Sequence, residues 1–417
     1  MKRATAFAAA AVAFVTSAFG AETETSVSFY SPSIVRIVRA ERGQSLAKPW
    51  KTVLAKEDKT VSVERTESEK ETVWKTSALV VSQAKESGLF TFLSPDGKVL
   101  LSEKGKTSVS PAAQAFALGE EAPLYGLGDL QKPVLDICGI SHRLMPQNQG
   151  DGIAYVASPL GWALYWDDSS PVAFTSSKDG FSFTSESAAF VDYYFIAGGS
   201  MDACVAGMRQ LTGPSPMLPR WVYGFWQSRE RYKTQDEIVS VLKRYRADGI
   251  PLDGIVQDWQ YWGDNAHWND MKFDSRTFPD PKKMVDDIHA LHAKVLITVW
   301  PSFGPKTDAF KELDSKGLLI PVTTWPAWVS DEDHSPSGAH IQDSYSPVAN
   351  EIYWKHLLRL VDIGIDGWWM DSTDPDHFEK DGDLELPTSL GLPWRADRKS
   401  TRLNSSHTTV SRMPSSA

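Results

Sequence analysis

Apolar and polar residues alternate in short stretches from about residue 25 to residue 215. Examples are LFTFLSPDGKVLLSE and GIAYVASPLGWALYWDD, and turn residues such as SPDGK separate the stretches. Alternation with a period of two predicts half-buried β-strands, and long helical periodicity is missing here. Many short strands at regular spacing are typical of a β-sandwich. We therefore predict a β-sandwich domain over residues 21–215.

The pattern changes at LTGPSPMLPRW (211–221), where three prolines and a glycine mark a domain boundary. Beyond it, stretches with β-strand character alternate with stretches of helical periodicity. The first predicted helix, TQDEIVSVLKRYRADGI, has Thr234 as its N-cap and Gly249 as its C-terminal stop. Two more helices are predicted at PKKMVDDIHALHA and, beginning near Pro347, at PVANEIYWKHLLRLVDIG. The predicted strands are WVYGFWQS (221–228), PLDGIVQDW (251–259), KVLITVWP (294–301) and IDGWWMD.

Repeated strand–helix units of this size predict a parallel sheet covered on both faces. An open doubly wound sheet and a (β/α)8 TIM barrel both satisfy that pattern. The barrel is favoured because Asp258, Trp300 and Asp371 each follow a predicted strand, and barrels place functional groups at the carboxyl ends of strands. No glycine-rich phosphate-binding motif follows any strand. The predicted fold is thus multidomain β and α/β, with about the first half of a (β/α)8 TIM barrel over residues 216–396.

Composition narrows the range of partners. The net charge is −10, from 43 basic and 53 acidic residues, and no run of basic residues indicates nucleic acid. A neutral or cationic ligand fits this balance better. No histidine or carboxylate cluster stands at successive strand ends, so no metal and no cofactor are expected. The oligomeric state is left open by the sequence.

The N-terminus has the features of a leader. Two basic residues precede the apolar stretch AFAAAAVAFV, and small residues follow, so residues 1–20 are predicted to be a signal peptide. The apolar stretch is shorter than the ~20 residues that a membrane span needs, and no other segment is apolar enough. An exported protein, periplasmic or extracellular, is therefore expected. Cys138 and Cys204 either pair or lie separately as small core residues, and the second reading is preferred.

The stretch GIDGWWMDSTDPDHF (364–378) carries an apolar run that ends in a carboxylate, Asp371. A strand buried on both faces tolerates a carboxylate only at its end, where water or polar partners are available. Tryptophans surround Asp371 and Asp258, namely Trp368, Trp369, Trp259 and Trp262. Carboxylates among aromatic rings suit a carbohydrate, because rings stack on apolar sugar faces while acids bind hydroxyls. The alternatives are that Asp371 caps a helix and that the aromatic residues only pack the core.

These motifs resemble glycoside hydrolase family 31, the family of retaining α-glucosidases and α-xylosidases. The resemblance covers about residues 120–395. It rests on segments in the same order as in the family: LYGLGD, DYYFIAGG, LTGPSPMLPRWVYGFWQSRERYKTQDEI, GIPLDGIVQDWQYWGD, FDSRTFPDP, ITVWPSFGP and DGWWMDSTDPD. The resemblance implies that the chain is a glycoside hydrolase acting on an oligosaccharide.

The resemblance also implies site residues. Asp371 matches the catalytic nucleophile that forms a covalent glycosyl-enzyme intermediate. Asp258 matches a carboxylate that binds sugar hydroxyls, and Trp300 matches an aromatic residue lining the same subsite. Further candidates for the substrate-binding wall are Trp259, Trp262, Trp369 and Phe225. The second carboxyl group that retention requires comes, in the family, from a later loop, and the resemblance implies that it is absent from this chain.

Two departures accompany the resemblance. The family usually has glutamate three residues after the nucleophile, where this chain has Asp374, whose side chain is one methylene shorter. Residues 397–417 lack apolar periodicity and resemble read-through sequence from gene assembly, with a disordered tail as the alternative. True homology is therefore expected to end near residue 396, so the chain is predicted to be truncated at its C-terminus.

The motifs QSRERYKTQDEI and DWQYW are more similar to bacterial α-xylosidases than to digestive α-glucosidases. They favour xyloglucan-type oligosaccharides as substrate. An α-glucosidase or α-transglucosylase of the same family is one alternative, and a non-catalytic sugar-binding pseudo-enzyme is another. A metal-dependent barrel enzyme is disfavoured by the missing ligand clusters.

Overall fold

The computed structural model describes residues 23–43, 52–130, 134–145, 151–168, 170–186, 188–323, 337–344 and 346–371. The predicted signal peptide, the predicted tail and Asp374 lie outside these residues. No helix in the described ranges is long and apolar enough to cross a membrane.

Two antiparallel sheets make up the N-terminal part. One contains, in spatial order, β1 (Thr23–Ser31), β2 (Ile34–Glu41), β15 (Phe190–Ala197), β12 (Trp162–Trp166), β11 (Asp151–Ser158) and β9 (Tyr125–Asp129). The other contains β10 (Ser141–Leu144), β13 (Val172–Ser177), β14 (Gly180–Ser185), β8 (Ala112–Leu118), β7 (Val99–Val109), β6 (Phe90–Leu93), β5 (Val80–Ala84), β4 (Glu71–Lys75) and β3 (Glu64–Glu67). The short alternating strands therefore form as the sequence pattern predicts.

Side chains of the two sheets meet in one hydrophobic cluster. Phe92 of the larger sheet stacks on Phe195 of the smaller sheet, with ring centroids 4.2 Å apart. Trp162 stacks on Phe181 across the same interface, at 6.2 Å. Burying a large apolar side chain contributes roughly 1.5–3 kcal/mol, so this interface stabilises the N-terminal part.

Helix α1 (Met201–Thr212) covers the opposite face of the six-stranded sheet, which the strand pattern did not predict. Its buried side is made of Cys204, Gly207 and Leu211, so small residues carry most of the apolar signal. A Cβ atom on Gly207 would lie 2.6 Å from the Ile196 side chain, which shows how closely the helix approaches the sheet. Both cysteines are free, and only Cys204 is a core residue, because Cys138 is partly exposed.

Four parallel strands form the sheet of the C-terminal part: β16 (Trp226–Gln227), β17 (Gly254–Gln257), β18 (Lys294–Val299) and β22 (Gly367–Met370). The first is shorter than predicted, since residues Arg220–Tyr223 form a 3-10 helix instead of a strand. The strands occur in chain order across the sheet, as expected for consecutive strand–helix units of a barrel.

Helices connect these strands: α2 (Gln235–Ala247), α3 (Pro281–Ala290), α4 (Asp308–Asp314) and α5 (Pro347–Asp362). The Thr234 side chain accepts a hydrogen bond from the Glu237 N–H, which confirms the predicted N-cap of α2. That helix ends just before Gly249, whose φ of +67° suits glycine. Helix α5 begins at Pro347, as predicted.

The sequence pattern missed the connection between β18 and α5. Here β19 (Ser302–Phe303) precedes α4, and β20 (Leu319–Thr323) and β21 (His340–Gln342) follow it. The three strands form a small antiparallel sheet in the spatial order β19, β21, β20. These elements are two to seven residues long, which is too short for a periodicity to be recognised. A second short 3-10 helix, Asn265–His267, lies in the loop after β17.

The two faces of the parallel sheet have different surroundings. Ile255, Val295, Ile297 and Trp368 lie on one face and share a core with the helices. Thr298 follows Ile297 and Trp369 follows Trp368, so both side chains lie on the opposite face, because side chains alternate along a strand. In a barrel that opposite face is the interior.

Candidate active site

The register of the parallel strands places the predicted site residues side by side. Gln257 pairs with Ile297, and Ile297 pairs with Trp368. One residue further along each strand, Asp258, Thr298 and Trp369 therefore stand in one row on the face away from the helices. This row lies at the carboxyl end of the sheet, where barrel enzymes carry their functional groups.

Asp371 belongs to the next row. Its backbone N–H donates to the Val299 carbonyl at 3.0 Å, so the pairing of β18 with β22 continues to the carboxylate. Val299 pairs with Met370, which places Asp371 beside Trp300. By alternation from Trp368, the Asp371 side chain lies on the same face as Asp258. The structure thus brings together the two carboxylates that the sequence singled out on separate strands.

The Asp258 carboxylate is partly buried and interacts with Asp371. Burial raises the pKa of Asp258, and the negative charge of Asp371 raises the same pKa further. The Trp259 backbone N–H, which donates to Asp258 Oδ1 at 2.7 Å, opposes this shift. The Thr298 hydroxyl also acts to lower the pKa of Asp258, although it forms no hydrogen bond of normal geometry with any described residue. A carboxylate held near a like charge is typical of functional sites.

Trp259 follows Asp258 on the loop after β17 and is partly buried. Its indole Nε1–H donates to Glu230 Oε1 at 3.1 Å. The Arg231 guanidinium lies over the Trp259 ring, 4.6 Å from its centroid. Both partners come from the loop after β16, so two neighbouring strand-end loops meet at this indole.

Trp262 and Trp300 lie in a tight aromatic cluster with Trp268. The centroid distances are 5.3 Å for Trp262–Trp300, 4.9 Å for Trp268–Trp300 and 5.1 Å for Trp262–Trp268. Trp262 is 4% exposed and Trp300 is 3% exposed. Both side chains therefore support the site mainly by packing, and little of either surface reaches solvent. Neither indole N–H has a hydrogen-bond partner among the described residues.

The two remaining candidates lie in different places. Trp369 is 41% exposed and lies beside Thr298 on the face that carries the carboxylates. Phe225 lies at the opposite, amino end of the sheet, where its N–H donates to the Asp253 carboxylate at 3.3 Å. Its ring contacts Tyr245 of α2 at 6.0 Å. The structure therefore does not bring Phe225 to the candidate site, because Phe225 precedes its strand whereas the other candidates lie at or beyond the carboxyl ends of theirs.

Sequence reasoning missed four residues at the site: Thr298, Trp268, Glu230 and Arg231. In the sequence, Glu230 and Arg231 were named only as part of the motif QSRERYKTQDEI, and their contacts with the Trp259 indole join residues 28 positions or more apart. Position relative to a strand end was the available signal, since Glu230 and Arg231 follow β16 as Asp258 follows β17. Trp268 had no such signal, because it lies beyond β17 in a long loop.

Comparison with known proteins agrees with this geometry. The sequence model described as "Glycosyl hydrolases family 31 TIM-barrel domain" matches residues 215–399. An "Alpha-xylosidase" of Saccharolobus solfataricus is 37% identical over 292 residues, which cover 69% of this chain and 38% of that protein. "Alpha-xylosidase A" of Aspergillus niger is 27% identical over 271 residues, covering 62% of this chain and 35% of the relative. The chain thus spans well under half the length of these two relatives.

Solved structures share the fold. A GH31 alpha-xylosidase from a soil metagenome, complexed with xylose, superposes with a TM-score of 0.80 at 21% identity, covering 91% of this chain and 60% of the other. The Flavobacterium johnsoniae GH31 dextranase complexed with glucose gives a TM-score of 0.76 at 19% identity, covering 93% and 51%. The parallel sheet with carboxylates at its strand ends agrees with the TIM-barrel domain that the family model describes. The chain belongs to glycoside hydrolase family 31.

Proposed function

We propose that the protein is a retaining α-glycosidase in which Asp371 is the nucleophile. The observation that carries the proposal is the position of Asp371 and Asp258 on one face, at the carboxyl ends of β22 and β17. Family membership supplies the class of reaction, and the register supplies the pair of carboxylates. No metal or cofactor takes part in the proposed chemistry.

The proposed reaction has two displacements. The Asp371 carboxylate attacks the anomeric carbon and forms a C–O bond while the glycosidic C–O bond breaks. A second carboxyl group gives its proton to the leaving oxygen, later removes a proton from water, and so lets water release the sugar from Asp371. The prediction that this second group is absent from the chain stays a prediction. The Asp258 carboxylate accepts hydrogen bonds from hydroxyls of the sugar.

An α-linked xylose at a non-reducing end is the favoured substrate, as in xyloglucan-type oligosaccharides. Relatives named alpha-xylosidase support this choice. An α-glucosidase or α-transglucosylase is the second candidate, since other relatives are named "Alpha-glucosidase" and "Isomaltosyltransferase". A non-catalytic sugar-binding protein is the third.

The finer domain assignments are also proposals. The shared core of the two antiparallel sheets supports a β-sandwich domain over residues 21–215. The four parallel strands support about half of a (β/α)8 barrel over residues 216–396. The composition of residues 1–20 supports export, and N-terminal sequencing of the mature protein from its host tests it, with cleavage after residue 20 expected.

Labelling with a fluorinated α-xylosyl fluoride tests the nucleophile. Fluoride leaves without being protonated, so the covalent intermediate forms even where the acid group is missing. We expect mass spectrometry to find one xylosyl adduct on the peptide that contains Asp371, and Asp371→Asn to lower the labelling rate by at least about 10³-fold. A label on any other residue, or equal labelling of the variant, would contradict the proposal.

The choice of sugar is tested with p-nitrophenyl α-xyloside and p-nitrophenyl α-glucoside. Higher kcat/KM for the xyloside supports the α-xylosidase, and higher kcat/KM for the glucoside supports the second candidate. Binding of xylose without labelling or turnover of either substrate would favour the non-catalytic protein.

A further inference from the structure

The Trp259 indole is held on an edge and on a face by two adjacent residues. Glu230 accepts the indole N–H at 3.1 Å, and the Arg231 guanidinium lies 4.6 Å from the ring centroid. Arg231 and Glu230 also approach each other at 3.4 Å. The Arg231 side chain is only 12% exposed, whereas that of Glu230 is 76% exposed. The charged pair is therefore anchored at its arginine end.

Two residues at this contact, Arg231 and Gln260, have uncommon backbone conformations. Arg231 has a φ of +68°, a left-handed conformation that non-glycine residues seldom adopt. Gln260, immediately after Trp259, has a φ of +58°. Two uncommon backbone conformations on the two loops that meet at one indole indicate that surrounding contacts determine both loops.

Trp259 also adjoins the carboxylates of the candidate site. Its backbone N–H donates to Asp258, and Glu230 contributes to raising the pKa of Asp258. Arg231 lies over one ring face, the Trp268 ring packs against the indole with centroids 6.0 Å apart, and the Trp259 side chain is still only partly buried. An indole fixed in this way beside the carboxylates can present its remaining surface to the apolar face of a sugar ring.

We propose that Glu230 and Arg231 are positioning residues that hold the Trp259 indole as a stacking platform for a neutral pyranose in the site. The inference rests on the proposed function, because it assigns the platform to that same site. Neither residue needs to touch the sugar. Glu230 acts as a hydrogen-bond acceptor for the indole and Arg231 as a cation over its ring.

Xylose affinity of the 417-residue chain, measured by calorimetric titration, tests the proposal. We expect Glu230→Ala and Arg231→Ala each to weaken binding about threefold to tenfold, as expected for loss of one hydrogen bond or one cation–π contact. Glu230→Gln retains an acceptor oxygen and is expected to bind within twofold of the wild type. Arg229→Ala is the matched control, since Arg229 belongs to the same loop but pairs with Glu237, and it should bind like the wild type.

A double-variant cycle separates positioning from direct contact. In the Trp259→Phe background the indole N–H is gone, so Glu230→Ala should weaken xylose binding no further. Equal losses in both backgrounds would overturn the proposal, and so would a Glu230→Gln variant as weak as Glu230→Ala, because charge rather than hydrogen bonding would then be the cause.

The indole N–H resonance gives a readout that does not depend on sugar. The signal lost in Trp259→Phe identifies Trp259, and its protection from solvent exchange should fall in Glu230→Ala and persist in Glu230→Gln. Unchanged protection in Glu230→Ala would refute the positioning role of Glu230 and would leave the proposed function untouched. Failure of the wild-type chain to bind either xylose or glucose would instead refute the proposed function and the platform with it, whatever the resonance shows.

Discussion

Buried acidic side chains have different hydrogen-bond and charge partners in the two parts of the chain. In the antiparallel sheets, the Glu103 carboxylate accepts hydrogen bonds from both terminal nitrogens of Arg39, with N–O distances of 2.6 and 2.5 Å. It also accepts hydrogen bonds from the Tyr193 hydroxyl and the Phe90 N–H. Asp192 likewise takes two hydrogen bonds from Arg36. In the parallel sheet, Asp258 faces a second acid, Asp371, and accepts a backbone N–H.

The difference separates fold from site. An acid that is surrounded by donors and a bidentate arginine is compensated where it lies, and its removal leaves an uncompensated cation. An acid that is partly desolvated beside a like charge gains little from the folded state and remains available to a ligand. The Glu103–Arg39 and Asp192–Arg36 pairs therefore belong to the packing of the N-terminal part, whereas Asp258 and Asp371 at the strand ends of the C-terminal part serve the proposed chemistry.

The largest effect is expected from breaking a compensated pair. Glu103→Ala leaves Arg39 buried without its carboxylate and should destabilise the N-terminal part by about 3–5 kcal/mol. Chemical denaturation of the chain measures the change. Glu67→Ala, which removes an exposed pair with Lys85, is the control and should cause no resolvable change. Equal changes in the free energy of unfolding for the two substitutions would contradict the structural role of the buried Glu103–Arg39 pair.

Asp167 adds a pH dependence to the N-terminal part. Burial raises the pKa of Asp167 to about 8, and the adjacent Asp192 raises it while Arg36 lowers it. Its Oδ1 accepts from the hydroxyls of Thr52 and Tyr165, both at 3.2 Å. The folded state therefore holds a proton that the unfolded state releases near its ordinary pKa of 3.8.

This bound proton determines how the free energy of unfolding changes with pH. Between about pH 4 and pH 8 the folded state binds more protons, so the free energy of unfolding should fall as pH rises through this window. Asp167→Asn should flatten the fall, because an amide does not titrate. Denaturant titrations at several pH values measure both slopes, and identical slopes would show that Asp167 is ionised throughout.

Asp258→Asn should separate stability from binding. The amide oxygen can still accept the Trp259 N–H, while the repulsion with Asp371 disappears, so Tm should stay equal or rise by up to about 2 °C. Xylose affinity should fall about tenfold or more, since hydrogen bonds to charged groups are the stronger ones. Calorimetry reads both quantities. A variant that loses stability and keeps its affinity would place Asp258 with the structural acids.

The smallest effects are expected from the two exposed aromatic candidates. Trp369→Ala should lower xylose affinity about twofold to fivefold, because the indole shares a face with the carboxylates. Phe225→Ala should leave affinity unchanged, because Phe225 lies at the amino end of the sheet. The same titration measures both variants, and a reversed order would contradict the face assignment.

Local sequence was sufficient for the elements with a clear period. Thr234 and Pro347 mark helix starts that the structure confirms, and β17, β18 and β22 lie within the predicted strands. Local sequence failed where small residues replaced large apolar ones, as in α1, and where elements were too short for a period, as in α4 and the small three-stranded sheet. It also predicted a strand at residues that form a 3-10 helix.

The sequence by itself determined the order of β17, α3, β18, α5 and β22 and the presence of acids directly after β17 and β22, because hydrophobic periodicity and turn chemistry are local properties of the chain. Only the tertiary structure decided which residues meet. Strand register placed Asp258 and Asp371 on one face and left Phe225 at the other end, and loop packing brought Glu230 and Arg231 to Trp259. Such pairings depend on contacts between residues distant in the chain, so no local pattern specifies them.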